Sequence, residues 1–339
     1  MSRLALLLCA GCSFNAAQVP PVSDAAVTTT PDARRADASI GVPDAEPPPD
    51  AEPPPDAAGG GTHFHYVTSS LRVGTSTGEA AALAFDLDGD LTGDNKLGVT
   101  FATVGAGAGI EFDSALADAL QSGTMVLLHS FEADEVFRDP EVTWRTYRGV
   151  PQADPDLESG DGMFTVAGDS RTDSAVSGDL AAGEVVAGPG KLVIELGLVD
   201  GVPPIPIELV AARLTADVTE LACSGRLGGG ITTAHIDAAV LPAVAVAIDA
   251  RIASDEGCRE RFSDCDATSL LLLALIDANG DRVITVTEVR DSSAVRALLS
   301  PDVDLLDDEG RPGQDGEDES ISLAVAFTCR RAIFTAPGE

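Results

Sequence analysis

Alternation of apolar and polar side chains marks several segments of this chain as half-buried β-strands. The clearest runs occupy residues 192–198 and 321–327, where every second side chain is apolar. A period of two places those side chains on one face of a strand. In 207–218 the alternation slips by one residue after Ala211, which predicts a β-bulge within one long strand. Further strands are predicted at 63–73, 79–85, 124–129 and 142–147.

Helical spacing of apolar residues appears in a second group of segments. It covers 114–121, 236–252, 269–276 and 289–299. Strands that outnumber helices, with the helices concentrated late in the chain, predict an α+β fold. We expect a mainly antiparallel β-sheet or sandwich with a late helix–loop–helix unit, similar to an EF-hand, at 267–300.

The first twelve residues, MSRLALLLCAGC, have the composition of an export signal. One positive charge precedes an apolar run that is too short to span a bilayer. The run ends in Ala10-Gly11-Cys12, which resembles the lipobox of bacterial lipoproteins and implies a lipidated Cys12. Cys9 stands where that motif usually has Leu. An ordinary signal peptide cut near Ala17 is the alternative.

Residues 13–61 contain few large apolar side chains and include a tandem of Pro, Asp, Glu and Ala at 43–57. Such a segment cannot bury enough apolar surface to offset its ordering entropy. Proline and like charges keep it extended, which predicts a semi-rigid stalk between 1–12 and a folded domain at 62–339. We expect a lipid-anchored location in the cell envelope, at the outer membrane, with a periplasmic or secreted protein as the alternative.

Composition narrows the partners. The chain has 55 acidic and 21 basic residues, a net charge of −34. This charge repels nucleic acid and anionic membranes and favours cations. The expected contact with a membrane is therefore the lipid anchor alone, and any protein or glycan partner is left unidentified.

Four cysteines remain after Cys9 and Cys12. An even number in an oxidising compartment predicts two disulfides, for which three connectivities exist. The short polar segment between Cys258 and Cys265 predicts a closed loop, and Cys223 then pairs with Cys329. A four-cysteine zinc site is the alternative, but the spacing lacks paired Cys-x-x-Cys knuckles.

The segment 277–288 resembles the twelve-residue calcium loop of the EF-hand. The expected calcium ligands, at positions 1, 3, 5, 7, 9 and 12, are Asp277, Asn279, Asp281, the carbonyl of Val283, Thr285 and a bidentate Glu288. Position 6 departs from the family, because Arg282 replaces the usual Gly. A solvated acidic turn between two helices is the alternative.

A second candidate calcium loop begins at Asp86. Its expected ligands are Asp86, Asp88, Asp90 and Asp94, at positions 1, 3, 5 and 9. Leu97 at position 12 supplies no closing acid, so a plain acidic turn is the alternative. A third acidic stretch at 302–319 has irregular spacing and predicts a solvated loop.

Three acidic segments carry a wider resemblance. FDLDGDLTGDNKLG, DANGDRVITVTE and SPDVDLLDDEG resemble segments of uncharacterised exported lipoproteins of myxobacterial type. That family implies no activity and no catalytic residues. The chain also lacks the common hydrolase, zinc-protease and phosphate-loop motifs, so its status as an enzyme stays uncertain and a non-enzymatic role is favoured.

The favoured function is a surface-tethered calcium-binding lipoprotein that acts as a binding or structural module, with calcium in a structural role. A secreted hydrolase of an unfamiliar type with structural calcium is one alternative, since paired carboxylates can perform acid–base chemistry. A periplasmic calcium sensor is the other.

Overall fold

The computed structural model describes residues 62–108, 111–135, 137–152, 157–197, 203–307 and 310–338. The predicted signal peptide (1–12), its lipidation site Cys12 and the predicted stalk (13–61) lie outside the described residues. All structural statements below concern the folded unit that begins after the stalk.

Nine β-strands are present among the described residues. In chain order they are β1 (Thr62–Arg72), β2 (Leu127–Ala133), β3 (Arg138–Pro151), β4 (Gly162–Val166), β5 (Ala175–Ala181), β6 (Glu184–Leu196), β7 (Ile205–Val218), β8 (Ala222–Thr232) and β9 (Ser320–Ile333). Eight of them pair antiparallel in the order β1–β2–β3–β5–β6–β7–β8–β9, and β9 pairs back with β1. Within the described chain they form a closed barrel. The short β4 pairs with β3 and, in parallel, with β9.

The prediction of mainly antiparallel β-structure is confirmed, whereas the sandwich is wrong, and the fold is mostly β rather than clearly α+β. A sandwich needs two separate sheets, but hydrogen bonding between the first and last strands joins all eight into one ring. The predicted bulge is confirmed in β7. Its register shifts between Val210 and Arg213, and Ala211 lies at φ +47°.

Aromatic side chains from non-neighbouring strands fill the barrel. The rings of Trp144 on β3 and Phe327 on β9 lie 6.2 Å apart, although these strands do not pair with each other. The indole Nε1–H of Trp144 donates to Nδ1 of His129 (3.2 Å), and Nε2 of His129 lies 2.8 Å from the Thr68 hydroxyl. Burial lowers the pKa of His129 to about 3, so the imidazole is neutral and serves the core.

Nine α-helical segments occur in the described chain. They are α1 (Thr77–Leu83), α2 (Lys96–Ala108), α3 (Phe112–Gln121), α4 (Thr233–His235), α5 (Leu241–Ser254), α6 (Glu256–Glu260), α7 (Ala267–Ile276), α8 (Val286–Asp291) and α9 (Ser293–Leu298). A π-helical turn at 236–240 joins α4 to α5. Helices α4–α9 form one insert between β8 and β9. None of the helices in the described part of the chain is long and apolar enough to cross a membrane.

The strand predicted at 79–85 is wrong, because most of this segment belongs to helix α1. The Ser76 hydroxyl accepts from the Glu79 amide (3.2 Å), and the Glu79 carboxylate accepts from the amide and hydroxyl of Thr75. These side-chain caps satisfy the Glu79 amide in the first helical turn and the Thr75 amide just before the helix. The alanine-rich sequence that follows then continues the helix, because alanine has the highest helix propensity.

Both predicted disulfides are present. Cys223 on β8 lies directly opposite Cys329 on the neighbouring strand β9, with 4.9 Å between their Cα atoms. Cys258 and Cys265 close a short loop that precedes α7. The four-cysteine zinc alternative is therefore wrong.

Candidate metal-binding loops

The loop predicted to hold calcium lies between two helices. Helix α7 ends at Ile276, and α8 begins at Val286, the tenth position of the loop and three residues before the predicted start. The Thr285 hydroxyl accepts from the Glu288 amide, and the Glu288 carboxylate accepts from the Thr285 amide. This capping box explains the earlier start. The predicted 289–299 helix is interrupted at Ser292, which caps α9.

Side chains at the first, third and fifth positions fold this loop onto itself. Asp277 accepts from the amides of Gly280 (2.7 Å) and Arg282 (2.9 Å). Asn279 accepts from the Asp281 amide, and Asp281 accepts from the amide of Val283. These bonds curl the backbone of the loop around the Asp277 side chain.

The loop at Asp86 repeats the same set of contacts. Asp86 accepts from the amides of Gly89 (2.7 Å) and Leu91 (3.2 Å). Asp88 accepts from the amide of Asp90, and Asp90 from that of Thr92. The donor offsets of three, five, two and two residues equal those of the 277–288 loop. Two segments almost 200 residues apart therefore share one backbone template.

Both loops require left-handed backbone at their fourth and sixth positions. The fourth position is glycine in each, with φ +85° at Gly89 and +76° at Gly280. The sixth is Leu91 (φ +71°) or Arg282 (φ +66°). A side chain with a Cβ costs about 1–2 kcal/mol in this conformation. The positive φ expected at the sixth position of an EF-hand loop is thus present in spite of the missing glycine.

Three carboxylates meet in the loop at 86–94. Oxygen atoms of Asp86, Asp88 and Asp94 lie within 4.8 Å of one another. Calcium holds oxygen ligands at about 2.3–2.6 Å, so two ligands of one ion lie up to about 5 Å apart. This trio therefore fits a single calcium ion. The Asp90 carboxylate, also predicted as a ligand, accepts from the Thr92 amide and does not belong to the trio.

Asp94 is held in an unfavourable setting for a lone charge. One of its oxygens accepts from the Leu87 amide (2.7 Å). Burial raises its pKa to about 6, and the negative charges of Asp88, Asp90 and Asp302 add to the shift. A bound cation would offset both effects, since an opposite charge favours the ionised carboxylate.

In the 277–288 loop, the Glu288 carboxylate is the group whose surroundings would favour a cation. Its Oε2 accepts from the amide (3.0 Å) and hydroxyl (2.8 Å) of Thr285, and these bonds hold the pKa of Glu288 below its usual range. Its Oε1 is shielded from solvent and makes no hydrogen bond of normal geometry, and the backbone of Asn279 also helps to lower the pKa of Glu288. A buried, unsatisfied carboxylate oxygen is costly unless a cation or donor meets it. The bidentate contact predicted for Glu288 stays a prediction.

Thr285 and Val283, which were also predicted as ligands, make different contacts from the other predicted ligands of this loop. The Thr285 hydroxyl both donates to Glu288 and accepts from it, which makes this residue the N-cap of α8. The Val283 amide donates to Asp281, and its side chain is half exposed. The predicted ligand at Val283 is its carbonyl, and that assignment stays a prediction.

The third acidic stretch lies beside the 86–94 loop, and the sequence analysis did not predict this contact. Asp88 and Asp90 line a shallow cleft together with Asp304 and Asp318. Asp304 accepts from the amides of Asp315 and Gly316, which brings these two residues back to Asp304. No local spacing signals this meeting, because the two segments are more than 200 residues apart.

Asp302 differs from the solvated residue that was predicted. Its two oxygens accept from the amide (2.9 Å) and hydroxyl (2.6 Å) of Ser322 on β9. Burial raises the pKa of Asp302. This side chain therefore anchors the acidic stretch to the barrel wall.

The donor set of the two loops is made of oxygen. Carboxylates, one amide and backbone carbonyls suit a hard cation such as calcium rather than a metal that selects thiolate or imidazole. In comparisons with protein-family models, with curated proteins and with solved structures, nothing matches this chain.

Proposed function

We propose that this protein is a calcium-binding module in which the loops 277–288 and 86–94 each hold a structural calcium ion. One observation carries the proposal: the two acidic loops curl around their first aspartate through the same hydrogen bonds. We also propose that 267–300 is the EF-hand-like unit expected from its spacing. The solvent-shielded Oε1 of Glu288, which makes no hydrogen bond of normal geometry, and the trio around Asp94 support a cation at each loop.

A structural role fits the positions of the loops. Asn95, directly after the 86–94 loop, is buried. Its side chain makes hydrogen bonds to the carbonyl of Ala80 on α1 and to the carbonyl and amide of Ala324 on β9. An ion at Asp86–Asp94 would therefore brace the connection between two helices and the barrel. An ion at 277–288 would brace α7 against α8. Neither role involves a reacting substrate.

Calcium should raise the melting temperature of the purified protein, and a chelator should lower it. A ligand that binds only the native state at 100 times its dissociation constant adds about 2.7 kcal/mol to the free energy of unfolding. We expect Asp277→Ala and Asp86→Ala each to remove part of this gain, because each takes away the residue that organises its loop. Calorimetric melting with and without chelator measures it.

Asp179→Asn is the matched control for charge. Asp179 is exposed on β5 and belongs to neither loop. It should keep the full calcium response. A melting temperature that does not respond to calcium in the unaltered protein would contradict the proposal. An equal loss in the Asp179 variant would show a general charge effect in place of two sites.

We propose in addition that the module is tethered to the bacterial envelope through lipid on Cys12, with 13–61 as its stalk. The Ala10-Gly11-Cys12 motif and the acidic, proline-rich segment after it support this location. Metabolic labelling with a fatty-acid analogue should mark the unaltered protein and leave Cys12→Ser unmarked. Equal labelling of the two proteins would refute the anchor.

A further inference from the structure

We infer that Arg282 is a positioning residue of the 277–288 loop, and that the Cys258–Cys265 disulfide controls the calcium affinity of this loop through it. The inference rests on the proposed function, because it concerns how the same site is held. Neither Arg282 nor the disulfide supplies a ligand. Both act on the shape of the loop before an ion arrives.

Arg282 is attached at both of its ends. Its amide donates to the Asp277 carboxylate (2.9 Å), at the first position of the loop. Its guanidinium Nη1 donates to the carbonyl of Cys258 (2.8 Å), outside the loop. This second bond points the positive charge towards a carbonyl oxygen. It also helps to offset the left-handed backbone that Arg282 adopts at φ +66°.

The carbonyl that receives this bond lies in a helix too short to be stable alone. Helix α6 has five residues, and isolated helices of this length do not persist in water. It is held by Asp255, which accepts from the amides of Gly257 and Cys258, and by the disulfide from Cys258 to Cys265. Both cysteines are buried. Breaking this crosslink would remove the covalent restraint on the Cys258 carbonyl and leave only the hydrogen bonds to Asp255.

Helix α5 restrains the loop at another point. The Ile284 amide, two residues after Arg282, donates to the Asp249 carboxylate (3.0 Å). Ile284 itself is buried. With this support in place, loss of the disulfide should loosen the sixth position of the loop without releasing the eighth. We therefore expect weaker binding and a folded loop.

A double-mutant cycle tests the coupling. Calcium is titrated calorimetrically into proteins that also carry Asp86→Ala, so that the heat reports the 277–288 loop. Replacing Cys258 and Cys265 with alanine should raise the dissociation constant about tenfold when Arg282 is present, a change equal to about 1.4 kcal/mol. In the Arg282→Gly background the same replacement should change it less than about twofold, because the bond to the Cys258 carbonyl is already gone.

Two further variants make the result specific. Arg282→Gln keeps the Cβ and the disulfide but removes the guanidinium, and it should weaken binding to a similar extent as loss of the disulfide. Arg261→Ala removes a positive charge from the 258–265 segment and should leave the affinity within about twofold. The same cycle read as melting temperatures in chelator should also be non-additive, since the Arg282–Cys258 bond exists without an ion.

The outcomes separate the two proposals. Equal weakening in the Arg282 and Arg282→Gly backgrounds, or none in either, would overturn the coupling and leave calcium binding intact. No titratable binding in the protein with both Arg282 and the disulfide would contradict a calcium site at this loop, and the coupling with it. An unfolded cysteine variant leaves Arg282→Gln to decide, and unchanged affinity in that variant would overturn the inference.

Discussion

Replacing Cys223 and Cys329 together with alanine is expected to lower the free energy of unfolding by about 4–5 kcal/mol. The crosslink joins β8 to β9 and spans 106 residues of sequence, so it closes a long loop in the unfolded chain. The chain-entropy model assigns about 4.7 kcal/mol to a loop of about 100 residues. Both cysteine side chains are almost completely buried, at 4% and 1% exposure, so the alanines that replace them would also be buried in the native structure.

Equilibrium unfolding in denaturant, followed by circular dichroism, measures this difference. The Cys258–Cys265 pair is the internal comparison, because its sequence separation is 7. The same model gives about 2–3 kcal/mol for a loop of that size. A smaller loss for the Cys223–Cys329 variant than for the Cys258–Cys265 variant would contradict the entropic origin of the stabilisation.

Trp144→Ala should be the next most costly change, at about 3–5 kcal/mol. The indole is fully buried and lies within 6.4 Å, centroid to centroid, of the rings of Tyr66, Phe131 and Phe327. Alanine would leave a cavity in the middle of the barrel. It would also leave Nδ1 of the buried His129 without its donor, which adds the cost of an unsatisfied polar atom.

The same denaturant titration tests this prediction, with Phe137→Ala as the matched control. Phe137 is another large aromatic residue, but 68% of its surface is exposed. Its removal should change the free energy of unfolding by less than about 0.5 kcal/mol. A loss below about 1 kcal/mol for Trp144→Ala would mean that the barrel interior is not packed around the indole.

The sequence contains a clear signal for the start of helix α1, although a strand was predicted there. Ser76 and Glu79 have the spacing of a capping box, which identifies the start of α1. The apolar run that leads into the acidic loop at Asp86 was assigned to a strand instead. Capping contacts are local and specific, so they should have taken precedence over a short apolar run.

Strand β8 was not predicted at all, because it contains four glycines, which disfavour strands. The reason for them is visible only in three dimensions. A Cβ at Gly225 would lie 2.1 Å from the carbonyl oxygen of Thr215 on β7. Close approach of neighbouring strands therefore selects glycine where a single strand would disfavour it.

The amino-acid sequence by itself determined the local form of both acidic loops. Their hydrogen bonds join residues two, three or five positions apart, so the order of Asp, Asn and Gly was enough to predict a tight turn at each loop. The alternation of apolar residues likewise predicted antiparallel strands and the bulge in β7. Both disulfide pairs followed from the number and spacing of four cysteines.

Only the tertiary structure decided how these parts meet. Closure of the barrel depends on pairing between the first and last strands, which no local pattern encodes. The cleft shared by Asp88 and Asp304 and the bond from Arg282 to Cys258 join residues far apart in sequence. Such contacts form only after the chain has paid the entropy of closing long loops, and their partners are selected by packing rather than by neighbouring residues.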